Sequence, residues 1–427
     1  MFKFEKKVLD NGLRVVLVPM QNSEAVTIQV LVGVGSNNET KEINGISHFL
    51  EHLFFKGTKK RSNPGDIDKE IDKIGAGHNA FTTKEMTGFW IKSSVKDFDL
   101  SLDIISDIIL NPLFKEEEIE KERNVILQEI SMYDDNPQQK VLRLLPFIMY
   151  GDQPIGRETL GTKESVGKIS RKNILEYRND NYVPENLVIV VSGGINNGSA
   201  FKKINSVFSK IKKNDGNKLE FSDFQSEPKV KIFDKKMDQS HLAVGVKAFD
   251  MFDERRYTLS VLSTILGEKA SSRLFMEIRQ KLGLAYYVWS IMWLMPKTGI
   301  LIMRAGVSHE NLEKTVKKII EIVDDIKNKG VAKKELEDTK SHIRGQMALG
   351  LETSDQVAAF FGEQELFYGK MMQPEEILEK IEKVTQDDIL KVAGEIFKPE
   401  KISMAVIGNH PDFSQKEEFY KNLFSKI

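Results

Sequence analysis

Apolar residues recur at helical spacing in several long stretches of the chain. The spacing predicts amphipathic helices over residues 97–110, 115–133 and 170–180, because apolar side chains three and four positions apart share one helix face. Two shorter apolar runs, GLRVVLVPM and AVTIQVLVGVGS, predict strands that are joined by a polar turn as a hairpin. Helices and strands alternate irregularly, so the pattern favours a sheet covered by helices over a strict βαβ series.

Two segments in opposite halves of the chain share one pattern. ISRKNILEYRNDNYVPENLVIVVSGG begins at Ile169, and VTQDDILKVAGEIFKPEKISMAVIGN begins at Val384. Each predicts an amphipathic helix, a turn at a proline and then a strand. A second pair of segments, residues 115–130 and 332–347, is also similar. Repeats of this size indicate a duplicated domain.

The stretch 209–230, SKIKKNDGNKLEFSDFQSEPKV, is polar, charged and poor in periodicity. It lies near the midpoint of the chain and predicts a linker. The linker would separate an N-terminal domain, residues 1–208, from a homologous C-terminal domain, residues 231–427. The predicted fold class is therefore α+β, with two homologous domains, each a mostly antiparallel β-sheet covered by α-helices.

The stretch 46–58, ISHFLEHLFFKGT, predicts a helix that ends near Gly57 and is buried nearly all round. Its apolar face consists of Phe49, Leu50, Leu53 and Phe54. A second face, at spacing i, i+3, i+4, consists of His48, Glu51 and His52. Because a buried carboxylate without a partner is costly, these ionisable groups need a partner, and the simplest candidate is a divalent cation.

The HFLEH pentapeptide fits the H-x-x-E-H pattern of a class of zinc peptidases. Two histidines one helical turn apart can both point a ring nitrogen at one ion. The glutamate between them can take a proton from water without binding the metal. Zinc is the predicted metal, because two imidazoles and one carboxylate suit it and leave a fourth position open. A chance match among seven histidines is the alternative.

A catalytic zinc site needs a third protein ligand, and three residues are candidates. Glu122 and Glu129 share one face of a predicted helix, but they lie about 10 Å apart along its axis and cannot easily bind the same ion. Glu129 has apolar neighbours in sequence, which favours its burial. His78 is the third candidate. Spacing alone does not choose among them.

Composition narrows the classes of function. The 427 residues suffice for two or three domains with large cores. A formal net charge of −1 argues against general binding to nucleic acid or anionic membranes. The chain has no cysteine, which excludes disulfides, thiolate metal sites and cysteine nucleophiles. Since neither a signal peptide nor a bilayer-length apolar run is evident, a soluble cytoplasmic protein is predicted.

The HFLEH motif, followed by a glutamate 77 residues beyond His52, resembles the M16 metallopeptidases, the family of pitrilysin, insulin-degrading enzyme and the mitochondrial processing peptidases. The resemblance covers essentially the whole chain and implies a clamshell-like arrangement of two domains. It further implies one zinc ion per chain, bound by His48, His52 and Glu129. Glu51 would be the general base, and Glu122 would support the site from behind the metal ligands.

Two further motifs strengthen the resemblance. HNAFTTKEMTGFW, residues 78–90, resembles the family's strand whose exposed edge pairs with the substrate backbone. The contact is implied for Asn79, Ala80, Phe81 and Thr82, and an internal strand is the alternative. SSRLFMEIRQKLGLAYYV, residues 271–288, resembles a segment with an arginine and a tyrosine seven residues apart. Arg279 and Tyr286 would then donate hydrogen bonds to a developing oxyanion.

The second half of the chain resembles a copy without the metal. Glu129 corresponds to Gln346 in the repeat, and SSRLFME, which stands roughly where SHFLEHL stands, has no histidine. In half-length members of the family, two subunits close around a chamber, and the second domain of one faces the zinc site of the other. The resemblance therefore implies a homodimer in which Arg279 and Tyr286 act in trans.

The function predicted from the sequence is that of a zinc endopeptidase that cleaves short, unfolded peptides inside a closed chamber. Zinc and Glu51 would together activate the attacking water. A non-catalytic structural subunit, or a module that holds peptides without cutting them, is the alternative.

Overall fold

The computed structural model describes residues 1–211, 222 and 225–427, so much of the predicted linker 209–230 lies outside the described residues. Within them, the strands form two mixed β-sheets, each in its own compact unit and covered by helices. The predicted α+β fold with two similar domains is thereby confirmed. Among the described helices, none is both long and apolar enough to cross a membrane.

The first sheet has the strand order β1-β2-β6-β3-β5-β4. Its strands are β1 (Glu5–Val8), β2 (Arg14–Pro19), β3 (Ala25–Val32), β4 (Gly77–Thr82), β5 (Thr87–Ser94) and β6 (Leu187–Gly193). Strands β2 and β6 are parallel, and the other neighbours are antiparallel. The predicted hairpin between the strands now called β2 and β3 is wrong. The fully buried strand β6 lies between them, because its apolar side chains fill the centre of the sheet on both faces.

The second sheet repeats this arrangement in the order β7-β11-β8-β10-β9. Its strands are β7 (Lys229–Asp234), β8 (Ser240–Ala248), β9 (Ala285–Met295), β10 (Thr298–Val307) and β11 (Ile402–Gly408). The pair β7 and β11 is parallel, as β2 and β6 are, and the remaining neighbours are antiparallel. Strands β9 and β4 are therefore equivalent edge strands of the two sheets.

Helices connect the strands in both halves of the chain. Before the linker they are α1 (Ile46–Leu53), α2 (Asp66–Lys73), α3 (Phe98–Leu110), α4 (Glu116–Asp135), α5 (Pro137–Tyr150), α6 (Lys163–Lys168), α7 (Arg171–Asn181) and α8 (Asn197–Phe208). After it they are α9 (Arg256–Ser263), α10 (Leu312–Lys329), α11 (Lys333–Leu349), α12 (Ser354–Tyr368), α13 (Pro374–Glu382), α14 (Gln386–Ile396) and α15 (Phe413–Phe424). Two π-helical segments, Thr264–Glu268 and Phe275–Lys281, follow α9.

The repeated sequence segments adopt the predicted structure. In the first, α7 is followed by a 3₁₀ turn at Pro184 and by β6; in the second, α14 is followed by a 3₁₀ turn at Pro399 and by β11. Helices α3, α4 and α7 coincide, within a few residues, with the three helices that periodicity predicted. Periodicity succeeds here because each helix buries one apolar face in the hydrophobic core of the first unit.

The compact units differ from the predicted domain boundaries at two segments. Met132–Gly156, from the first half of the chain, belongs to the unit of the second sheet, and Ala348–Pro374 belongs to the unit of the first. Helix α5 packs on the second sheet, and α12 packs on the first. Each exchanged helix covers one apolar face of its sheet, while the other face packs against helices of the same half.

Candidate metal centre

The residue that precedes helix α1 is a glycine, and a buried acid accepts hydrogen bonds from the backbone at this end of the helix. Gly45 has φ +97°, in the left-handed region, and an added Cβ would lie 2.6 Å from the carbonyl oxygen of Leu160. The carboxylate of Glu39 accepts hydrogen bonds from the backbone N–H groups of Gly45 (2.7 Å) and Ser47 (2.9 Å). Burial raises the pKa of Glu39 to about 7. The HFLEH motif gave no indication of this residue, although an acid shortly before a helix is favoured at its N-terminus.

The predicted apolar face of α1 is confirmed, since all four of its residues are buried: Phe49, Leu50, Leu53 and Phe54. The helix ends at Leu53, however, and not near Gly57. The chain leaves the helix in a turn in which the N–H of Lys56 donates to the carbonyl of Leu53 at 3.1 Å. Gly57 follows with φ +132°.

Three potential metal ligands converge where α1 faces α4. One side-chain atom each of His48, His52 and Glu129 lies within 4.8 Å of the other two. Glu129 Oε2 is 3.6 Å from Nε2 of His48 and 3.5 Å from Nε2 of His52. Two imidazole nitrogens and one carboxylate oxygen are the donor set of many catalytic zinc sites. The residues present therefore fit a zinc ion.

Glu122 lies behind His52, on the side away from Glu129. Its Oε2 is 3.1 Å from Nδ1 of His52, and its Oε1 is 3.0 Å from Nζ of Lys56. Burial alone would raise the pKa of Glu122, but its hydrogen bonds with His52 and Lys56 lower it. Burial would also lower the pKa of His52, but hydrogen bonds to Glu122 and Glu129 outweigh it and raise that pKa to about 9. A histidine whose Nδ1–H donates to a carboxylate keeps Nε2 available for a metal.

Glu51 points to the edge strand β4. Its Oε2 accepts a hydrogen bond of 2.6 Å from the hydroxyl of Thr82. Burial raises the pKa of Glu51, and the hydrogen bond from Thr82 offsets part of this effect. Thr82, for which the resemblance implied a contact with substrate, thus fixes the carboxylate expected to act as the base.

Strand β4 carries the other residues expected to contact substrate. Within the described residues it pairs with β5 alone, so it is an edge strand and not an internal one. Ala80 packs against the hydrophobic core to which α1 contributes. Phe81 lies on the opposite face of the sheet, against Gly88. The side chain of Asn79 accepts a hydrogen bond from the N–H of Ala80 at 2.9 Å. Binding of peptide to this edge stays a prediction.

His78 lies apart from the three converging donor atoms. Its Nε2 is 3.5 Å from Asp68, and its ring lies 5.4 Å from that of Phe55. Among the three candidates that spacing left open, the structure therefore brings Glu129 to the histidine pair, places Glu122 behind it and keeps His78 away.

Arg279 and Tyr286 belong to the unit of the second sheet. Arg279, in the π-helical segment Phe275–Lys281, stacks over the ring of Phe275 at 4.9 Å. Tyr286 is the second residue of β9 and is 73% exposed. The correspondence predicted between SSRLFME and SHFLEHL is wrong. SSRLFME leads into the π-helical segment that directly precedes β9, and this position corresponds to that of α2, which directly precedes β4. Helix α9 and the π-helical segment after it take the place of α1.

Sequence reasoning missed Lys56, although it follows His52 by one helical turn. We expect Lys56→Met to weaken zinc binding by about tenfold, the lower end of the usual effect of residues behind metal ligands. The variant removes the ammonium group that holds the second oxygen of Glu122. Competition with a chelating dye measures the affinity. Lys60→Met is the matched control, because Lys60 is exposed and pairs with Asp103; equal zinc affinity in both variants would exclude a role for Lys56.

Comparison with known proteins agrees with the fold and identifies the family. Residues 14–163 match the family model Insulinase (Peptidase family M16), and residues 168–343 match the Peptidase M16 inactive domain. The chain therefore belongs to peptidase family M16. It is similar to the Bacillus subtilis zinc protease YmxG, with 36% identity over 94% of this chain and 98% of that protein. A Rickettsia felis zinc protease is 33% identical over 95% of this chain and 97% of its own.

Solved structures show the same fold. A protease from Helicobacter pylori has a TM-score of 0.90 and 26% identity, and the match covers 96% of this chain and 100% of that one. A protein from Pseudomonas fluorescens, described as a peptidase M16 inactive domain, has a TM-score of 0.88 at 18% identity over 95% of this chain and 98% of that one. The second likeness concerns the fold alone.

Proposed function

We propose that this protein is a zinc-dependent endopeptidase that hydrolyses short, unfolded peptides. The convergence of His48, His52 and Glu129 on one point, with Glu51 on the same helix as the two histidines, is the observation that carries the proposal. Membership in family M16 and relatives that are named zinc proteases support it.

Each residue of the centre has a role in the proposed reaction. His48, His52 and Glu129 would hold the metal. A bound zinc ion supplies Lewis acidity, which acidifies water and polarises a peptide carbonyl. Glu51 accepts a proton from the attacking water and passes it to the leaving amine. Thr82 keeps the Glu51 carboxylate in place through its 2.6 Å hydrogen bond.

The edge strand β4 would hold the substrate. An extended peptide can add to the open edge of a sheet through backbone hydrogen bonds, which give affinity with little preference for sequence. Only a segment without its own secondary structure offers free backbone groups for this pairing. Thr82 links the end of β4 to Glu51, so a peptide on this edge would pass close to the base. Short, unfolded peptides are therefore the proposed substrate class.

Removal of the metal tests the proposal directly. We expect 1,10-phenanthroline to abolish cleavage of an unstructured fluorogenic peptide, and added zinc to restore it. Alkylation with iodoacetamide is the matched control, because the chain has no cysteine to modify. Full cleavage by metal-free protein would exclude the proposal. Peptide binding by zinc-loaded protein without any cleavage would favour the alternative, a module that holds peptides without cutting them.

We further propose that the active unit is a homodimer in which Arg279 and Tyr286 of one subunit serve the zinc centre of the other. The chain carries its converging metal ligands in one unit and this donor pair in the other unit. The exposure of Tyr286 leaves its hydroxyl accessible to a partner. Each hydrogen-bond donor to a developing oxyanion contributes a few kcal/mol to the rate, roughly a hundredfold.

Subunit mixing tests this arrangement. Glu51→Gln and Tyr286→Phe are each expected to be nearly inactive alone. After exchange of subunits, a heterodimer in trans holds one site with both defects and one intact site, so activity should recover to about a quarter of wild type in a symmetric dimer. In a cis arrangement every site keeps one defect. No recovery, with heterodimers demonstrated by native mass spectrometry, would exclude the trans site.

A further inference from the structure

Arg304, in β10, is a partly buried cation without an anionic partner. Its Nε is buried and has no hydrogen-bond acceptor, and no ion pair joins its guanidinium to a described residue. Arg273 in the same unit contrasts with it, because that guanidinium lies 2.8 Å from Asp325 and 2.8 Å from Glu335. A desolvated charge without a counter-charge is costly, which makes the isolation of Arg304 a feature to be explained.

Aromatic rings hold the Arg304 side chain. Its guanidinium lies 4.6 Å from the ring of Trp289 and 5.9 Å from that of Tyr287, both on the neighbouring strand β9. Tyr287 lies across from Gly306, where a Cβ would come within 2.4 Å of the ring. The hydroxyl of Tyr287 is in turn hydrogen-bonded to His241 at 3.0 Å. Stacking engages the faces of a guanidinium and leaves the N–H groups at its edge for a ligand.

The shared fold does not require a cation at this position. When the strand registers of the two sheets are matched, Trp90 of β5 stands where Arg304 stands in β10. The first sheet thus carries an uncharged residue at the equivalent place. The unpaired charge belongs to the second copy of the domain, and so does the aromatic support around it.

Exposed apolar side chains adjoin the cation. Trp289 is 47% exposed, and Ile291, two positions further on the same face of β9, is also exposed. A planar guanidinium matches a carboxylate through two parallel hydrogen bonds. A ligand that contacts both the charge and the apolar surface needs a carboxylate next to an apolar group.

We propose that Arg304, with Tyr287 and Trp289, forms a receptor for a peptide carboxylate that is flanked by apolar side chains. The receptor lies in the unit of the second sheet, shares no residue with the zinc centre and does not depend on peptide cleavage. The carboxylate could belong to the C-terminus of a peptide or to an acidic side chain, since both present the same group to the guanidinium.

Binding of three small peptides tests the receptor. The probes are N-acetyl-Leu-Leu with a free C-terminus, its C-terminal amide, and N-acetyl-Glu-Leu-amide, in which the only carboxylate is on a side chain. Full-length Glu51→Gln protein excludes turnover, and tryptophan fluorescence and calorimetry report binding. We expect at least one carboxylate peptide to bind about tenfold or more tightly than the neutral amide, as a charge-assisted hydrogen bond requires. Whichever acid binds more tightly identifies the source of the carboxylate.

Variants assign the binding to Arg304. Arg304→Gln should reduce the affinity for the acid to that for the amide, and Arg304→Lys should retain part of the difference. Arg255→Gln is the matched control, because Arg255 is paired with Asp253 and Glu395 and should leave binding unchanged. Equal binding of acid and amide, or undiminished acid binding by folded Arg304→Gln, would overturn the proposal. If Arg304→Gln fails to fold, Arg304→Lys and Trp289→Ala decide it, and undiminished acid binding by both would overturn it.

Discussion

The Glu51→Gln variant is expected to lose peptide cleavage by at least about a hundredfold, the scale of a general-base contribution. The amide is nearly the same size as the carboxylate, but it cannot accept a proton from water at neutral pH. Its oxygen can still accept the hydrogen bond that Thr82 donates to Glu51, so the local structure should persist. Initial rates on an unstructured fluorogenic peptide measure the loss, and metal analysis of the purified variant measures its zinc.

Glu120→Gln is a matched control for this experiment. Glu120 lies on α4 and pairs with Arg123 at the surface, so its loss should leave both activity and zinc content near wild type. Near-normal cleavage by zinc-loaded Glu51→Gln protein would remove Glu51 from the reaction. Loss of zinc together with activity would instead make Glu51 a part of the metal site.

Glu129→Gln should lower zinc affinity far more than Glu122→Gln does. The first change replaces a charged oxygen that lies within 3.6 Å of both Nε2 atoms of the histidine pair. The second changes only the acceptor behind His52, and a residue in that position typically alters metal affinity by about 10- to 100-fold. Titration with a competing chelator at a fixed pH compares the two variants, and circular dichroism checks that both are folded.

The order of the two effects decides the ligand assignment. If Glu122→Gln lost the metal while Glu129→Gln kept it, Glu122 would be the ligand and the direction of the His52 ring would have to reverse. Equal losses would indicate that the metal is shared between both carboxylates. Each outcome is visible in zinc content alone, so it does not depend on an assay of cleavage.

The sequence predicts the local part of the site well. The two histidines and Glu51 lie within one helix, where 3.6 residues per turn fix their relative directions. The burial of the α1 apolar face follows from the same periodicity. The third ligand lies on another helix, so its position depends on packing between α1 and α4. Spacing therefore left Glu122, Glu129 and His78 open, and the family resemblance was needed to prefer Glu129.

Features that depend on contacts between residues distant in sequence were not predicted, for a related reason. The insertion of β6 between β2 and β3 depends on which strand completes the centre of the sheet, and adjacency in sequence favoured the hairpin instead. Lys56 and Glu39 act through partners that are distant in sequence or outside the motif. Arg304 is an ordinary strand residue in the sequence, and its isolation becomes visible only when its neighbours are known.

The exchange of α5 and α12 has a consequence for the history of this chain. A duplicated gene can in principle separate again into two independent genes, if each product can fold alone. Here each half of the sequence contributes the helix that covers a sheet of the other half. A half made alone would leave a sheet with one apolar face open to water, a liability for aggregation. The two halves must therefore be inherited as one chain, although within the described residues the converging metal ligands all lie in the first half.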